Sequence, residues 1–287
     1  MNVRNLAALL VAAALTVSCA DKPAATGPRL YILDCGDIKP MDPTLFGLKK
    51  EEIAGDASFV TPCYLVVHPK GNLIWDVGQV PDAQIPDDGT EVVVQDLLKA
   101  RRKLVPQLEA LGVKVSDIDY IAMSHYHLDH TANANLFAGS TWIVQKGDRD
   151  PILAPRPANP PATGRVPDPK FFEGLANSKT IVLNGEDHDV FGDGTVVIKS
   201  TPGHTPGHQS LFLKLANTGG VLLAGDLYHY PEEITYKKIP SFDTNKEQTA
   251  RSRAMIEEFV KQNRAQLWIQ HDYTTGLKRK IAPAFYD

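Results

Sequence analysis

Between His125 and His130 the chain places three histidines and one aspartate in six positions: Ser124-His125-Tyr126-His127-Leu128-Asp129-His130. Only nine histidines occur in 287 residues, so three in one heptapeptide is a concentration that asks for a chemical reason. Neutral imidazole and carboxylate are the zinc ligands of hydrolytic sites. His125 and His127 lie two apart, and in extended backbone such residues face the same way. Asp129 and His130 follow a turn and address a second position nearby. The apolar run Ile118–Met123 reads as a strand ending at the cluster, which would hold these side chains on a rigid element.

Three further candidates lie in the second half. His204 sits in Thr201-Pro202-Gly203-His204-Thr205-Pro206-Gly207-His208, where two Pro-Gly pairs permit close backbone approach. Asp226 ends the apolar run Val221–Gly225, and a carboxylate at the end of a buried strand is costly unless it is paired or bound to metal. His271 ends Leu267–Gln270 in the same way. Taken singly, each has an ordinary structural reading: an exposed loop histidine, a turn aspartate, a hydrogen-bonded histidine. Together with the cluster they complete a set of seven donors.

The elements that must position these residues alternate between strand and helix in both halves. Strands are expected at Leu30–Leu33, Cys63–Val67, Leu73–Asp76, Thr141–Val144, Thr180–Leu183, Thr195–Lys199, Ser210–Leu215, Val221–Ala224 and Leu267–Gln270. Cys63–Val67 and Leu73–Asp76 form a hairpin around Pro69-Lys70-Gly71-Asn72. Helical spacing of leucines predicts a helix over Val94–Leu111, broken or restarted at Pro106. Asn245–Asn263 reads as an amphipathic helix, with Met255/Phe259 and Ile256/Val260 stacked at i, i+4. Residues 36–58 read as a long loop, and residues 151–169 hold seven prolines in nineteen positions, a composition that opposes both helix and sheet.

Apolar content of 43% and charged content of 22% are ordinary for a globular chain. The net charge of −4 gives no electrostatic footprint for nucleic acid. Arg4 followed by the apolar run Leu6–Val17 reads as an export signal over residues 1–20, with 21–28 a linker and 29–287 the hydrolase domain. Two processing outcomes stand open: cleavage before Asp21, giving a periplasmic or secreted protein, or a lipoprotein signal with Cys19 lipidated, the one route to a membrane. Removing Arg4 with the leader takes the net charge from −4 to −5. Cys35 and Cys63 are then either bridged, as an oxidising compartment permits, or two buried free thiols. The oligomeric state is not legible in the sequence.

His-x-His-x-Asp-His, then Gly-His-x-Pro-Gly, then Gly-Asp, then a late histidine resembles the metallo-β-lactamase superfamily over roughly residues 29–275. The stretch Thr201–Ser210 and the 22-residue step from His204 to Asp226 resemble its N-acyl homoserine lactonase branch. The resemblance implies an α/β fold, an αβ/βα sandwich of two mixed sheets flanked by helices. It implies two zinc ions, one held by His125, His127 and His204, the other by Asp129, His130 and His271, with Asp226 bridging both. His208 is not a family ligand and is expected to be structural, and Asp76 is expected to orient a ligand from behind. The implied chemistry is opening of the lactone ring of a small-molecule acyl-homoserine lactone by metal-activated hydroxide, with Asp129 carrying a proton to the leaving ring oxygen.

Two departures from the branch stand out. Three residues after Asp226, where the branch often has a substrate-binding tyrosine, this chain has His229 between Tyr228 and Tyr230, and Tyr228 is the candidate to substitute. Leu128 replaces a common aromatic. Loops 41–58 and 151–178, with Leu45, Phe46, Phe171 and Phe172, are expected to form an acyl-chain groove. The rival readings are a secreted metallo-β-lactamase, which generally lacks the bridging aspartate, and a thioesterase of the glyoxalase II type, whose thiol substrate is mainly cytosolic. A surface lipoprotein with a vestigial site is the non-enzyme reading, and an intact donor set argues against it.

Overall fold

Alternation along Arg29–Ile38 puts Leu30 and Ile32 on one face of a strand and Leu33 and Cys35 on the other, and both faces are buried. A strand covered on both sides implies a layer above and a layer below it. This strand, β1 (Arg29–Ile38), pairs antiparallel with β2 (Phe59–His68), which turns into β3 (Gly71–Trp75). Two short strands, β4 (Val92–Val94) and β5 (Leu98–Ala100), extend the sheet beyond β1. On the other side β3 runs parallel to β6 (Tyr120–Ala122), followed by β7 (Thr141–Gln145) and β8 (Thr180–Leu183), also parallel. The second sheet comprises β9 (His188–Asp189), β10 (Val196–Ser200), β11 (Gln209–Leu215) and β12 (Gly219–Leu223), all antiparallel, with β13 (Gln266–Trp268) parallel to β12. A last strand, β14 (Phe285–Tyr286), returns to β1. The computed structural model describes residues 27–155 and 167–287, so the expected leader with Cys19, most of the 21–28 linker and residues 156–166 lie outside the described residues.

The two sheets pack face to face. Leu30, Tyr64, Leu73 and Trp75 of the first meet Val196, Leu211, Val221 and Leu223 of the second in one buried cluster. Helices cover the outer faces. Leu104 and Leu108 of α1 (Leu104–Ala110) join Leu33, Leu65 and Ile121 behind the first sheet. The short α2 (Leu128–Thr131) and α3 (Lys146–Leu153) follow β6 and β7. Beyond α4 (Pro231–Thr235), Ile256 of α5 (Lys246–Gln262) packs on Phe212 and Leu222 behind the second sheet, and α6 (Tyr273–Gly276) lies near the C-terminus. The expected αβ/βα sandwich is therefore the fold, with strand ends and short helices meeting at one edge.

Several elements differ in extent from the sequence reading. The helix expected over Val94–Leu111 is instead the end of β4, then β5, then α1. Gln95 and Asp96 both take φ of 55°, reversing the chain, and Asp82 caps α1 by accepting from Leu104 N (2.7 Å) and Val105 N (2.9 Å). Pro106 falls in the first turn of α1, where it costs little. β1 runs five residues past Leu33, so the loop expected from residue 36 begins after Ile38 and contains two short 3-10 turns, Pro43–Phe46 and Lys50–Glu52. Residues 151–153, expected in the proline-rich loop, close α3. In α5 Ile256 is buried, whereas Met255 faces outward at 42% exposure. The alternative left open for the cysteines resolves as a Cys35–Cys63 disulfide, with Cα atoms 5.8 Å apart across β1 and β2.

Candidate metal centre

The parallel register Trp75↔Ala122 brings the ends of β3 and β6 side by side. Asp76 leaves β3 with φ of 53°, unusual for a residue with a side chain, and turns its buried carboxylate under the histidine cluster. Its Oδ1 accepts from Ser124 N (2.6 Å), and its Oδ2 accepts from Ser124 Oγ (3.1 Å), His130 Nδ1 (2.9 Å) and Gln270 Nε2 (2.6 Å). His125 and His127 occupy the extended turn after β6. His127 caps α2, and Asp129 and His130 lie in its first turn.

The Pro-Gly loop brings His204 to the same place. A Cβ on Gly203 would stand 2.3 Å from Thr249 N of α5, and one on Gly207 2.3 Å from Asp148 N of α3, so only glycine lets the loop sit this deep. At the next strand end Gly225 takes φ of 57°, and a Cβ there would meet His208 Nε2 at 2.8 Å. His208 Nδ1 donates to Thr201 O (3.0 Å), leaving Nε2 to accept from Asp226 N (3.0 Å). His208 is structural, as expected. It fixes the turn that carries Asp226.

The seven donors expected from the sequence come together as two groups, His125, His127, His204 and Asp226, and Asp129, His130, Asp226 and His271, with the donor atoms of each group within 4.8 Å of one another. In the first, His127 Nδ1 lies 2.7 Å from His125 Nε2 and 3.1 Å from His204 Nε2. In the second, Asp129 Oδ2 lies 3.4 Å from both His130 Nε2 and His271 Nε2. Asp226 belongs to both. Its Oδ2 is 3.7 and 3.5 Å from His125 Nε2 and His204 Nε2, and its Oδ1 is 3.1 Å from His130 Nε2 and from His271 Nε2.

This donor chemistry fits metal ions. The outward nitrogens of four histidines are already engaged: His125 Nδ1 with Ser124 Oγ (3.1 Å), His130 Nδ1 with Asp76 Oδ2, His204 Nδ1 with Asp243 Oδ1 (2.9 Å) and His271 Nδ1 with Val60 O (2.9 Å). Each such bond fixes the tautomer that turns a lone pair inward. His130 Nε2 and Asp226 Oδ1 are buried and, although 3.1 Å apart, are not aligned for a hydrogen bond with each other or with any other described group. Buried atoms of this kind call for a partner that protein groups do not supply. Burial, then the neighbouring His204, holds the His127 pKa down at about 3, so it is neutral and able to ligate. Burial also opposes charge on His130, but Asp226, Asp129 and Asp76 together hold its pKa well above the usual range. The carboxylates thus demand positive charge, which divalent ions would supply.

The sequence did not reveal the outer partners Asp243 and Gln270. Asp243 lies 39 residues from His204, in no recognisable motif, and is itself held by Thr249 Oγ1 (2.7 Å). The expectation for Tyr228 is overturned. Its hydroxyl donates to Glu257 Oε1 (2.8 Å) under the Arg253 guanidinium, and Tyr230 donates to Ala57 O (2.8 Å). His229 points inward instead, with Nε2 3.1 Å from Asp226 Oδ2 and Nδ1 3.3 Å from Glu233 Oε1, and Glu233 in turn pairs with Arg253. Phe46 packs on the His229 ring at 4.9 Å, so it walls the centre rather than lining a groove. Beside Leu128, a cavity of about 210 Å³ is lined by Val94, Gln84, Tyr126, Phe171 and Phe172. Phe172, expected to face an acyl chain, is 1% exposed and stacks on Trp142, so it belongs mainly to the core.

Comparison with known proteins agrees with this geometry. The family model of the metallo-beta-lactamase superfamily matches residues 58–260. N-acyl homoserine lactonase AttM of Agrobacterium fabrum is 31% identical over 270 residues, covering 91% of this chain and 99% of the relative. N-acyl homoserine lactonase AiiA of Bacillus thuringiensis subsp. kurstaki is 27% identical over 229 residues, covering 78% and 85%. Among solved structures, an N-acyl homoserine lactone hydrolase with N-hexanoyl-L-homoserine bound at its catalytic metal centre superposes with a TM-score of 0.73 at 23% identity, covering 91% of this chain and all of that one. AidC, a dizinc quorum-quenching lactonase, superposes with a TM-score of 0.62 at 18% identity, covering 91% and 94%. The chain belongs to the metallo-beta-lactamase superfamily and resembles its N-acyl homoserine lactonases.

Proposed function

We propose that this chain is a dinuclear zinc hydrolase that opens the lactone ring of N-acyl homoserine lactones. The observation that carries the reading is Asp226, which divides its two oxygens between two donor groups, as a carboxylate shared by two ions would. His125, His127 and His204 would hold one ion, and Asp129, His130 and His271 the other. When bound, paired zinc ions supply Lewis acidity that polarises a carbonyl and brings the pKa of water towards about 7.

The protein's own part is placement and proton handling. Asp129 is the more exposed of the two donor carboxylates, 19% against 5% for Asp226, and lies on the turn that opens α2. That position suits it to carry a proton to the ring oxygen as the ring opens. The cleft beside Leu128 suits an acyl chain, with Phe171 and Val94 as apolar walls. The full-length match to lactonases supports a lactone over the β-lactam or thioester that other members of the fold suggest.

A hydrolysis panel tests this. Acyl-homoserine lactones should turn over faster than a carbapenem, a cephalosporin or a thioester, and faster turnover of any of these three would reject the reading. Elemental analysis after zinc loading should give two ions per chain, and one ion would reject the dinuclear centre. We also infer export, either as a soluble periplasmic or secreted protein or through a lipid on Cys19. The Cys35–Cys63 bridge supports export, because disulfides persist in oxidising compartments. Mass spectrometry of protein from the native host should show loss of the first 18 to 20 residues, and an intact N-terminus would refute export.

A further inference from the structure

A second cavity, of about 290 Å³, lies between the β1–β2 pair and the chain following α6, and none of the seven donors lines it. The β-bulge between Asp34 and Asp37, where Gly36 takes φ of 119°, shifts the register of β1 on β2 and leaves both aspartates on the cavity wall. Leu277 and Ile281 also line it. At 63% and 46% exposure they are the two most exposed large apolar side chains among the described residues. Exposed apolar groups gathered around a concavity mark a binding surface more often than scattered ones do.

Some polar groups of this cavity are matched: Asp34 accepts from Gly36 N (3.2 Å) and lies 3.7 Å from Arg102 Nε, and Thr61 Oγ1 donates to Gln79 Oε1 (3.2 Å). Three are not. Tyr64 is fully buried, and its hydroxyl has no hydrogen-bond partner among the described residues. Arg279 is fixed by its stacking over Trp268 (4.6 Å) and one long bond to Ile269 O (3.4 Å), and no carboxylate among the described residues pairs with it. Asp37 is half-buried and has no ion pair or side-chain hydrogen bond among the described residues, although Lys99 and Arg101 act on it from a distance. Arg279 and the two aspartates do not pair with one another, so the cavity holds separated positive and negative ends with an apolar span between them. The unpaired charges of Arg279 and Asp37 and the orphaned Tyr64 hydroxyl in one concavity are the complement of a ligand with opposite ends.

We propose that this cavity is a second ligand site for a small zwitterion with an apolar body, of the ω-amino carboxylate class. The carboxylate meets the Tyr64 hydroxyl and Arg279, the methylenes lie on Leu277, Ile281 and Val60, and the ammonium meets Asp34 and Asp37. Val60 gives the site a route to the metal centre, because its carbonyl accepts from His271 Nδ1.

The test is calorimetric titration of the full, zinc-loaded chain with 6-aminohexanoate, and with hexanoate and hexylamine as single-charge controls. The zwitterion should bind, and each control should bind at least about tenfold more weakly, since a charge-assisted hydrogen bond is lost. Tyr64→Phe and Asp37→Asn should each weaken binding about tenfold. Tyr64→Phe should fold normally, because the hydroxyl it removes has no partner to strand. Should that variant misfold, Asp37→Asn and Arg279→Gln decide. No binding of the zwitterion, or equal binding of hexylamine, would overturn the proposal. So would binding that survives Asp37→Asn but disappears with zinc, since that places the probe at the metal centre.

Discussion

Asp76→Asn and Asp243→Asn should separate the two halves of the proposed metal centre. Asp76 takes four donors on two oxygens, three of them on Oδ2, and one of those three is His130 Nδ1. In the asparagine variant the amide oxygen does best facing the three donors, which leaves NH2 against Ser124 N–H. One charge-assisted bond is lost outright, about 1.5–3 kcal/mol, and three fall to neutral strength. The metal-free protein should lose about 3–5 kcal/mol in total. At about 2–4 °C per kcal/mol for a chain of this class, its Tm should drop by about 6–20 °C. Asp243 takes only two donors, His204 Nδ1 and Thr249 Oγ1, so its loss should cost less. Removing the partner that orients a ligand imidazole typically lowers metal affinity 10–100-fold, or about 1.4–2.8 kcal/mol. Asp76→Asn should therefore weaken the ion of the His130–His271 group by that factor and the other ion less, since Asp76 reaches His125 only through Ser124 Oγ, whereas Asp243→Asn should weaken chiefly the His204 ion. Stepwise metal removal by a chelator, read as two phases, makes the measurement. Equal loss of both ions in both variants would show that these aspartates support the fold and not individual ligands, and the reasoning would fail.

Burial pushes the Asp148 carboxyl up to about 7 from an ordinary 3.8, against hydrogen bonds from Thr205 Oγ1 and Gly207 N. A folded pKa above the unfolded one gives stability that is complete below about pH 4 and lost as pH rises through 7, about 4 kcal/mol in all. Metal-free Asp148→Asn should therefore gain on the wild type in Tm between pH 5 and pH 8, and a constant difference across that range would contradict the assignment. The Cys35–Cys63 disulfide closes a separation of 28 residues and should contribute about 3–4 kcal/mol, so a Cys35→Ser/Cys63→Ser variant showing the wild-type denaturant midpoint would refute that contribution. Phe172→Ala should cost about 3–5 kcal/mol of stability by emptying core volume against Trp142. Phe171→Ala should leave stability nearly unchanged and flatten the dependence of kcat/KM on acyl-chain length. The opposite pattern would return Phe172 to the substrate side.

The donor set was legible because metal chemistry leaves its mark in residue type and spacing. His-x-His-x-Asp-His can be read without knowing any distance, and the runs before Ser124, Asp226 and His271 announced strand ends. The leucines between Val94 and Leu111 misled for a physical reason. Leu98, Leu104 and Leu108 are buried whether they lie on one helix or on a strand followed by a helix, and the break falls at Gln95 and Asp96. Left-handed backbone at residues other than glycine carries little signal in sequence: Asp96 tolerates it better than most, but nothing in the type of Gln95 announces it. Phe171 and Phe172 are chemically identical neighbours, so only the position of Trp142 decides which one enters the core.

The substrate side was harder to read for a related reason. Tyr228, His229 and Tyr230 follow one another, and the backbone at Tyr228 is extended, so successive side chains diverge. Glu257 of α5 takes the first hydroxyl, Ala57 O takes the third, and Glu233, paired with Arg253, receives the backbone N–H groups of His229 and Tyr230. These partners come from three separate places in the chain, the loop before β2, α4 and α5. His229, left between them, turns to Asp226. A hydroxyl that would hydrogen-bond a lactone at this position in related enzymes is thus absent by construction: both neighbouring tyrosines are buried, Tyr228 under Arg253 and Tyr230 against Phe46 and Phe59, and neither swings inward without emptying packed volume. On the proposed reading, polar recognition of the substrate falls to the donor set, Asp129 included, and the cleft beside Leu128, where Val94 and Phe171 share the wall with Gln84 and Lys170, takes the acyl chain.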